Sequence, residues 1–242
     1  KTLPPRARSA LMAPASRARL LLDHVDDGAH EHFTNAVLDI ELGAGAHLTL
    51  YRLQRQGERA FHIERIEVRV GDHATFVMRD SQLGAALARL DTNVSLDGRA
   101  AATEITGVFL ADGSRHLDSH IHVDHRAIET TSLQDYRGIA ANKGRGVFNG
   151  KAIVHEGAQK SNARQVNRNL LLTPGAEIDT KPDLEIYADD VQCSHGTTTG
   201  QLDPNALFYL RSRGLSEPEA RSALTRAFAG AVLGREIGRA HV

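Results

Sequence analysis

Cys193 is the one cysteine of the chain, and His195 follows it by two residues in the run LEIYADDVQCSHGTTTGQLDPNALFYLRSRG, Leu184 to Gly214. Alternate residues of an extended segment share a face, so on a strand the thiol and the imidazole project together. A soft sulfur beside an imidazole suits a transition metal, an iron–sulfur centre, or a nucleophile with its base. Each use meets a limit. A cysteine-ligated cluster takes about four thiolates, so a chain with one cysteine needs mixed ligands or a second chain. As a nucleophile, Cys193 would stand about 7 Å from an i+2 partner on a regular strand, too far for direct proton transfer without a bend. The nearby charges of Asp189 and Asp190 also disfavour a thiolate. A small core cysteine beside a hydrogen-bonded histidine is the structural alternative.

A second constellation is HLDSHIHVDH, where His116, His120, His122 and His125 crowd together. His120 and His122 would share a strand face as a cupin-like pair of metal ligands, although the glutamate that pattern wants arrives late, at Glu129. The competing function is therefore a metal-dependent β-fold enzyme, and the bland account is the polar outer face of a strand. NKGRGVFNGK, Asn142 to Lys151, is rich in glycine and cations. It lacks GxxxxGK[ST] order and a following helix, so turns explain it better than phosphate binding.

The elements that must position these residues are mostly strands. AVLDIEL, HLTLYRL, FHIERIEVRV, ATFVMRD, TNVSL, TEITGVFL and SHIHVDH follow one another, separated by Gly43, Gly45, Gly71, Gly98 and Gly113. Leu38, Ile40 and Leu42 alternate with Asp39 and Glu41, and His62, Glu64, Arg65 and Glu67 intersperse with Ile63, Ile66, Val68 and Val70. This is the pattern of half-buried strands. Ser81 to Leu90 reads as a short helix. Helical blocks are too short for repeated βαβ crossovers, which leaves a sandwich, a barrel or a solenoid with turns recurring unevenly at roughly 15 to 28 residues. After Gly200 the period becomes helical. Asp203 is an N-cap, Pro204 suits the first helical position, and Gly214 ends the helix. Ser216 and Glu219 form a capping box with Pro218 in the first turn. Ala220, Ala223, Leu224, Ala227, Phe228 and Ala231 then make an apolar stripe running towards Ile237. A helix–turn–helix regulator is a further alternative, but the alanine-rich stripe suits a docking hairpin better than a recognition helix.

Composition narrows the classes. The 242 residues carry 41% hydrophobic and 24% charged side chains, ordinary for a globular protein. A net charge of −1 gives no broad cationic surface for nucleic acid. No apolar run approaches the roughly 20 residues that span a bilayer. The basic, proline-containing start lacks a secretory pattern, and Lys1 in first place reads as a processed or shortened chain. One cysteine excludes an internal disulfide and accords with a reducing cytoplasm. Residues 1–35 read as a lead-in segment, 36–202 as a β core and 203–242 as a helical hairpin.

The run from Leu184 to Gly214, with FLADGSRHLDSHIHVDH and GVFNGKAIVHEGAQKSNARQVNRNLLLTPGAEIDTKPDLEI upstream, resembles the SufB/SufD family of iron–sulfur cluster assembly scaffolds, on its SufD side. The likeness extends from about residue 36 to 237 and is most specific after Gly144. It implies a mainly β protein: a right-handed parallel β-helix (solenoid) followed by a small C-terminal α-helical domain. It also implies a cytoplasmic, non-enzymatic scaffold that pairs with SufB and binds the ATPase SufC, with no Walker motif of its own. His195 would lie at the SufB interface and hold iron or a transient Fe–S cluster with a cysteine of the partner chain; Cys193 matches the family's cysteine. SufC docking would fall on the closing helices, at Pro204, Leu207, Phe208, Tyr209, Arg213, Leu224 and Phe228. An open solenoid end also favours homodimerisation in isolation. The family's CSHGATVG wording has Thr197 and Thr199 here in place of alanine and valine. The helical N-terminal region usual in SufD has no counterpart in these residues.

Overall fold

Strict inside–outside alternation over many short strands can close only if each strand's apolar face meets another sheet. In the computed structural model, which describes residues 6–233, two stacked parallel sheets meet that need. The strands are β1 (Arg6–Met12), β2 (Arg17–His24), β3 (His32–Leu42), β4 (His47–Gln54), β5 (Ala60–Val70), β6 (Thr75–Gln82) and β7 (Leu87–Leu96). They continue as β8 (Ala102–Ala111), β9 (His116–His125), β10 (Thr131–Ala140), β11 (Arg145–Val154), β12 (Asn162–Leu171), β13 (Glu177–Ile186) and β14 (Gln192–Gly200). Odd-numbered strands form one seven-stranded sheet and even-numbered strands the other, each in sequence order. The chain thus winds as a β-solenoid, one strand per sheet per coil, and ends in helices α1 (Pro204–Ser212) and α2 (Glu217–Leu233). The sandwich and barrel alternatives fall away.

Facing residues on successive coils stand 26 to 32 positions apart, from Phe61 with Leu87 to Arg145 with Glu177. Corners set that spacing. Ala15, His73, Ala100, Glu129 and Lys160 all take left-handed backbone, with φ between 54° and 63°. Each donates its N–H to a carbonyl of the next coil: Ala15 to Ala44, His73 to Arg99, Ala100 to Ile128, Glu129 to Gln159, Lys160 to Asp190. Gly45 does the same with Asp72. A left-handed L-residue costs roughly 1–2 kcal/mol, and the satisfied N–H offsets it. Five of these six corners carry no glycine, which is why the repeat looks degenerate in the sequence.

Inside, Leu38, Ile40, Leu50, Ile66, Val68, Phe76, Met78 and Leu90 form a continuous buried stack, and Tyr136 stacks on Phe148 with centroids 5.1 Å apart. Glycines make room for the large rings. A Cβ on Gly107 would stand 2.4 Å from Tyr136 Cζ, and one on Gly138 would stand 2.4 Å from Phe109 Cζ.

Three expectations need correction. Residues 6–24, placed in a lead-in segment, form β1 and β2, which pair in parallel with β3 and β4. Their basic residues hid the alternation: Arg17 and Arg19 are exposed between half-buried Ala18 and Leu20. Ser81–Leu90 is not a helix; β6 ends at Gln82, a corner follows, and β7 begins at Leu87. The N–H groups of Gly84 and Ala85 go to Gln54 Oε1 and to the Gln56 carbonyl of the previous coil. Finally, β5 inverts its expected faces at one end. His62 and Glu64 point inward while Phe61 and Ile63 are exposed.

That inversion feeds a polar knot in the core. Arg52, fully buried, donates Nε to Glu64 Oε2 at 2.6 Å and Nη1 to Asp80 Oδ1 at 2.7 Å. Tyr136 Oη and Gln82 Nε2 donate to Asp80 Oδ2, and Gln82 Nε2 also donates to Ser119. Burial pushes the Glu64 carboxyl up, but Arg52's charge and the neighbouring histidines outweigh it and hold the group well below the usual carboxylate range.

Candidate functional site

Cys193 and His195 lie on β14, the last strand of its sheet, which is paired with β12 alone. Cys193 faces Ala163 and His195 faces Gln165, both buried inward residues of β12. The thiol and imidazole therefore share the inward face of the solenoid, as alternation requires. No coil among the described residues follows β13 and β14, so His195 is exposed where its counterpart one strand back is sealed. Cys193 remains half-buried against Ala152, Val154, Ala158, Ala163 and Ala188. Burial pushes its thiol pKa up, only partly offset by a backbone hydrogen bond with Ala163. The cause is burial rather than Asp189 and Asp190, and the result is a thiol poorly suited to nucleophilic attack.

Around His195 opens a cleft of about 290 Å³, with Arg164, Arg168, Asn167 and Thr197 on its walls. Polar inward residues crowd this end. Asn169 Nδ2 donates to Asn167 Oδ1 at 2.6 Å, and Thr180 Oγ1 donates to the same oxygen at 2.9 Å. Thr197 Oγ1 donates to Asn167 and lies 3.3 Å from Thr180 Oγ1, while Thr199 accepts from Asn169. The two threonines that depart from the family wording are thus tied into this polar end. Directly beneath His195, the Gln165 amide is buried with neither its nitrogen nor its oxygen hydrogen-bonded. Gln165, Asn167, Asn169 and Thr180 had no assigned role in the sequence. The period-two spacing of Gln165, Asn167 and Asn169 in NARQVNRN was the available signal, a strand with amides where apolar residues belong.

The histidine constellation separates. On β9, His116, His120 and His122 face outward, while His125 is buried and bonds Thr130 Oγ1 and Ser132 Oγ at 2.8 and 2.7 Å. Burial lowers the His125 pKa to about 4. His120 lies 2.8 Å from Asp118 and His122 3.4 Å from Asp124, as polar rungs on an outer sheet face. Glu129 sits at a corner, bound to Arg99. His120 and His122 share a face, as their spacing required, but the fold is a solenoid rather than a cupin barrel and no third metal-ligating side chain groups with them among the described residues. Asn142–Lys151 is a corner followed by β11, as turn glycines suggested.

The helices follow their signals closely. Asp203 Oδ1 accepts from Asn205 N–H at 2.9 Å. Gly214, at φ 95°, closes α1 with bonds from Gly214 N to the Arg211 carbonyl and from Leu215 N to the Leu210 carbonyl. Glu219 reaches back to the Ser216 N–H and hydroxyl. The stripe on α2 is narrower than expected. Ala220 and Val232 are buried and Leu224 and Phe228 half-buried, but Ala227 and Ala231 are exposed; the part towards Ile237 beyond Leu233 lies outside the described residues. Phe228 packs with Val108, Ile139 and Leu170 on the outer face of the even-numbered sheet. Arg137 donates to its carbonyl at 2.8 Å and lies over its ring, and Arg221 donates to the Leu172 carbonyl. Phe228 therefore fastens the hairpin to its own solenoid. Phe208 and Tyr209 on α1 are 74% and 57% exposed, with Arg213 stacked on Tyr209 and Pro204 and Leu207 on the same helix.

No helix among the described residues is long and apolar enough to cross a membrane. The family profile described as "SUF system FeS cluster assembly, SufBD core domain" matches residues 10–228, so the likeness begins well before residue 36 and takes in β2. An iron–sulfur cluster assembly SufBD family protein of Synechocystis is 39% identical over 204 residues, 84% of this chain and 45% of the relative. The iron–sulfur cluster assembly protein SufD of Escherichia coli is 34% identical over 218 residues, 90% of this chain and 52% of the relative. The chloroplastic protein ABCI7 of Arabidopsis thaliana is 34% identical over 84% of this chain and 43% of its own length. The chain spans about half the length of the curated relatives it matches. A solenoid built from inverted and polar coils, ending in a CSHG strand and a docked hairpin, accords with that match, and the chain belongs to the SufBD core family of SUF-system iron–sulfur cluster assembly proteins.

Proposed function

We propose that the chain is a non-catalytic, cytoplasmic scaffold subunit of SUF iron–sulfur cluster assembly, whose last coil pairs with SufB and whose helical hairpin docks the ATPase SufC. The nascent cluster, as cargo, forms where the two solenoid ends meet. His195 contributes from this side, and thiolates come from the partner. Cys193 supports the strand rather than ligating.

The observation that carries this reading is the exposed, inward-facing His195 on an edge strand, above the unsatisfied amide of Gln165. An unpaired strand edge is a template for another chain, and buried amides without partners favour an end that a partner closes. Arg164 and Arg168 beside the cleft suit the negative charge of a thiolate-ligated cluster. Exposed Phe208 and Tyr209 supply aromatic surface of the kind enriched at interfaces, on a hairpin fastened by Phe228.

The test is cluster assembly with SufB and SufC, comparing the wild type with His195→Ala. The variant is expected to form the complex but to lose most of the cluster signal. Full cluster formation in an intact His195→Ala complex would contradict the role. For the hairpin, joint replacement of Phe208 and Tyr209 by alanine should weaken SufC capture without lowering thermal stability.

A further inference from the structure

At the opposite end of the even-numbered sheet from His195, His24 ends β2 and its ring faces β5 inside the solenoid. Its Nε2 lies 3.2 Å from Glu64 Oε2, and His62 Nε2 lies 3.2 Å from the same oxygen. Among the described residues, this is the one group of three such side chains whose donor atoms all lie within 4.8 Å of one another. We propose that His24, His62 and Glu64 form a binding site for a divalent first-row transition-metal ion.

The spacing fits the chemistry. An ion held about 2.0–2.2 Å from nitrogen and carboxylate donors in a tetrahedron separates those donors by roughly 3.3–3.5 Å. Both histidine–glutamate separations are already close to that edge. The two rings meet edge to face with centroids 4.5 Å apart, which aims two nitrogens at one point without stacking. His24 Nε2 is shut off from solvent, yet makes no aligned hydrogen bond despite its proximity to Glu64. A buried nitrogen left this way has an unmet requirement.

Arg52 Nε donates to Glu64 Oε2 at 2.6 Å, so an ion there shares that oxygen with a guanidinium whose charge Asp80 also offsets. A cavity of about 80 Å³ lined by Arg8, Leu22, His24, Thr34 and Glu64 adjoins two of the three donors. It leaves space for an ion and a bound water, whose share of liquid volume is about 30 Å³. Two imidazoles and one carboxylate with an open fourth position suit Zn²⁺ or Fe²⁺.

The site is independent of the proposed role of His195, and the experiment separates them. The 242-residue chain is freed of metal and titrated with Zn²⁺ alone, followed by calorimetry, and with Co²⁺ alone, followed by its visible absorption. One ion per chain with a tetrahedral Co²⁺ spectrum is expected. His24→Gln, at a partly exposed strand end, should retain the fold by circular dichroism and weaken binding at least about tenfold. His195→Ala should leave binding unchanged. His62→Gln repeats the test from the other strand. Absence of binding by the wild type, or binding unaltered in folded His24→Gln, or binding lost in His195→Ala alone, would each overturn the assignment.

Discussion

The coils around Arg52 and the coil that ends the solenoid are built from the same strand geometry but treat polar side chains oppositely. In the middle, Arg52, Asp80, Tyr136, Gln82 and Ser119 are buried together and joined by hydrogen bonds. At the end, His195 is exposed and Gln165 is buried with its amide unsatisfied. A solenoid meets its backbone and packing needs coil by coil, so the last coil carries whatever the next would have covered. Interior polarity here serves the fold. At the end, His195 and the Gln165 amide stand outside the network that joins Asn167, Asn169, Thr180 and Thr197.

The largest expected contrast is at Arg52. Arg52→Met removes one guanidinium and leaves Glu64 and Asp80 buried without it. Urea unfolding should show a loss of about 3–5 kcal/mol or failure to fold. A loss under about 1 kcal/mol would mean that the knot is not structural.

Next is pH. His125 is held neutral in the folded state, with its pKa lowered to about 4 by burial, whereas the unfolded chain titrates near the ordinary 6.5. As pH falls through 6.5 the unfolded state takes up a proton that the folded state refuses, so stability drops until about pH 4. The gap corresponds to ~3 kcal/mol. His125→Gln should be less stable at pH 7 but should lose less on acidification. Parallel stability curves would remove His125 as the cause.

Glycines sharpen the comparison. Gly107→Ala drives a Cβ into Tyr136 and should cost about 1–3 kcal/mol in thermal or urea unfolding. Gly196→Ala, on β14 with nothing within 4 Å of the added carbon, should stay within about 0.5 kcal/mol. Gln165→Leu removes an unsatisfied buried amide. It should stabilise the isolated chain by about 1 kcal/mol while weakening the proposed pairing with SufB. Destabilisation instead would show that the amide already serves this chain's own fold.

Much of the architecture was legible in residues. Alternation in AVLDIEL and HLTLYRL gave strands, and Asp203, Pro204, Gly214 and Glu219 marked both helices. The turn column was not, because Ala15, His73, Ala100, Glu129 and Lys160 occupy left-handed corners without glycine. Their N–H acceptors lie in the next coil, and local sequence does not show that. The inward turn of His62 and Glu64 was hidden for the same kind of reason. Their partner Arg52 is on another strand, so the pattern looked like an ordinary polar face. At the candidate site, the shared face of Cys193 and His195 followed from spacing alone. The buried amides beneath them depend on cross-coil register, which the sequence does not display.

The last coil is proposed to be a surface that SufB completes. Hydrogen–deuterium exchange on the chain alone and with SufB addresses this directly. Slowed exchange confined to β13 and β14, residues 177–200, with the coils around Arg52 unchanged, is the predicted result. Binding of SufB that leaves 177–200 unprotected, or that protects another face of the solenoid, would contradict it.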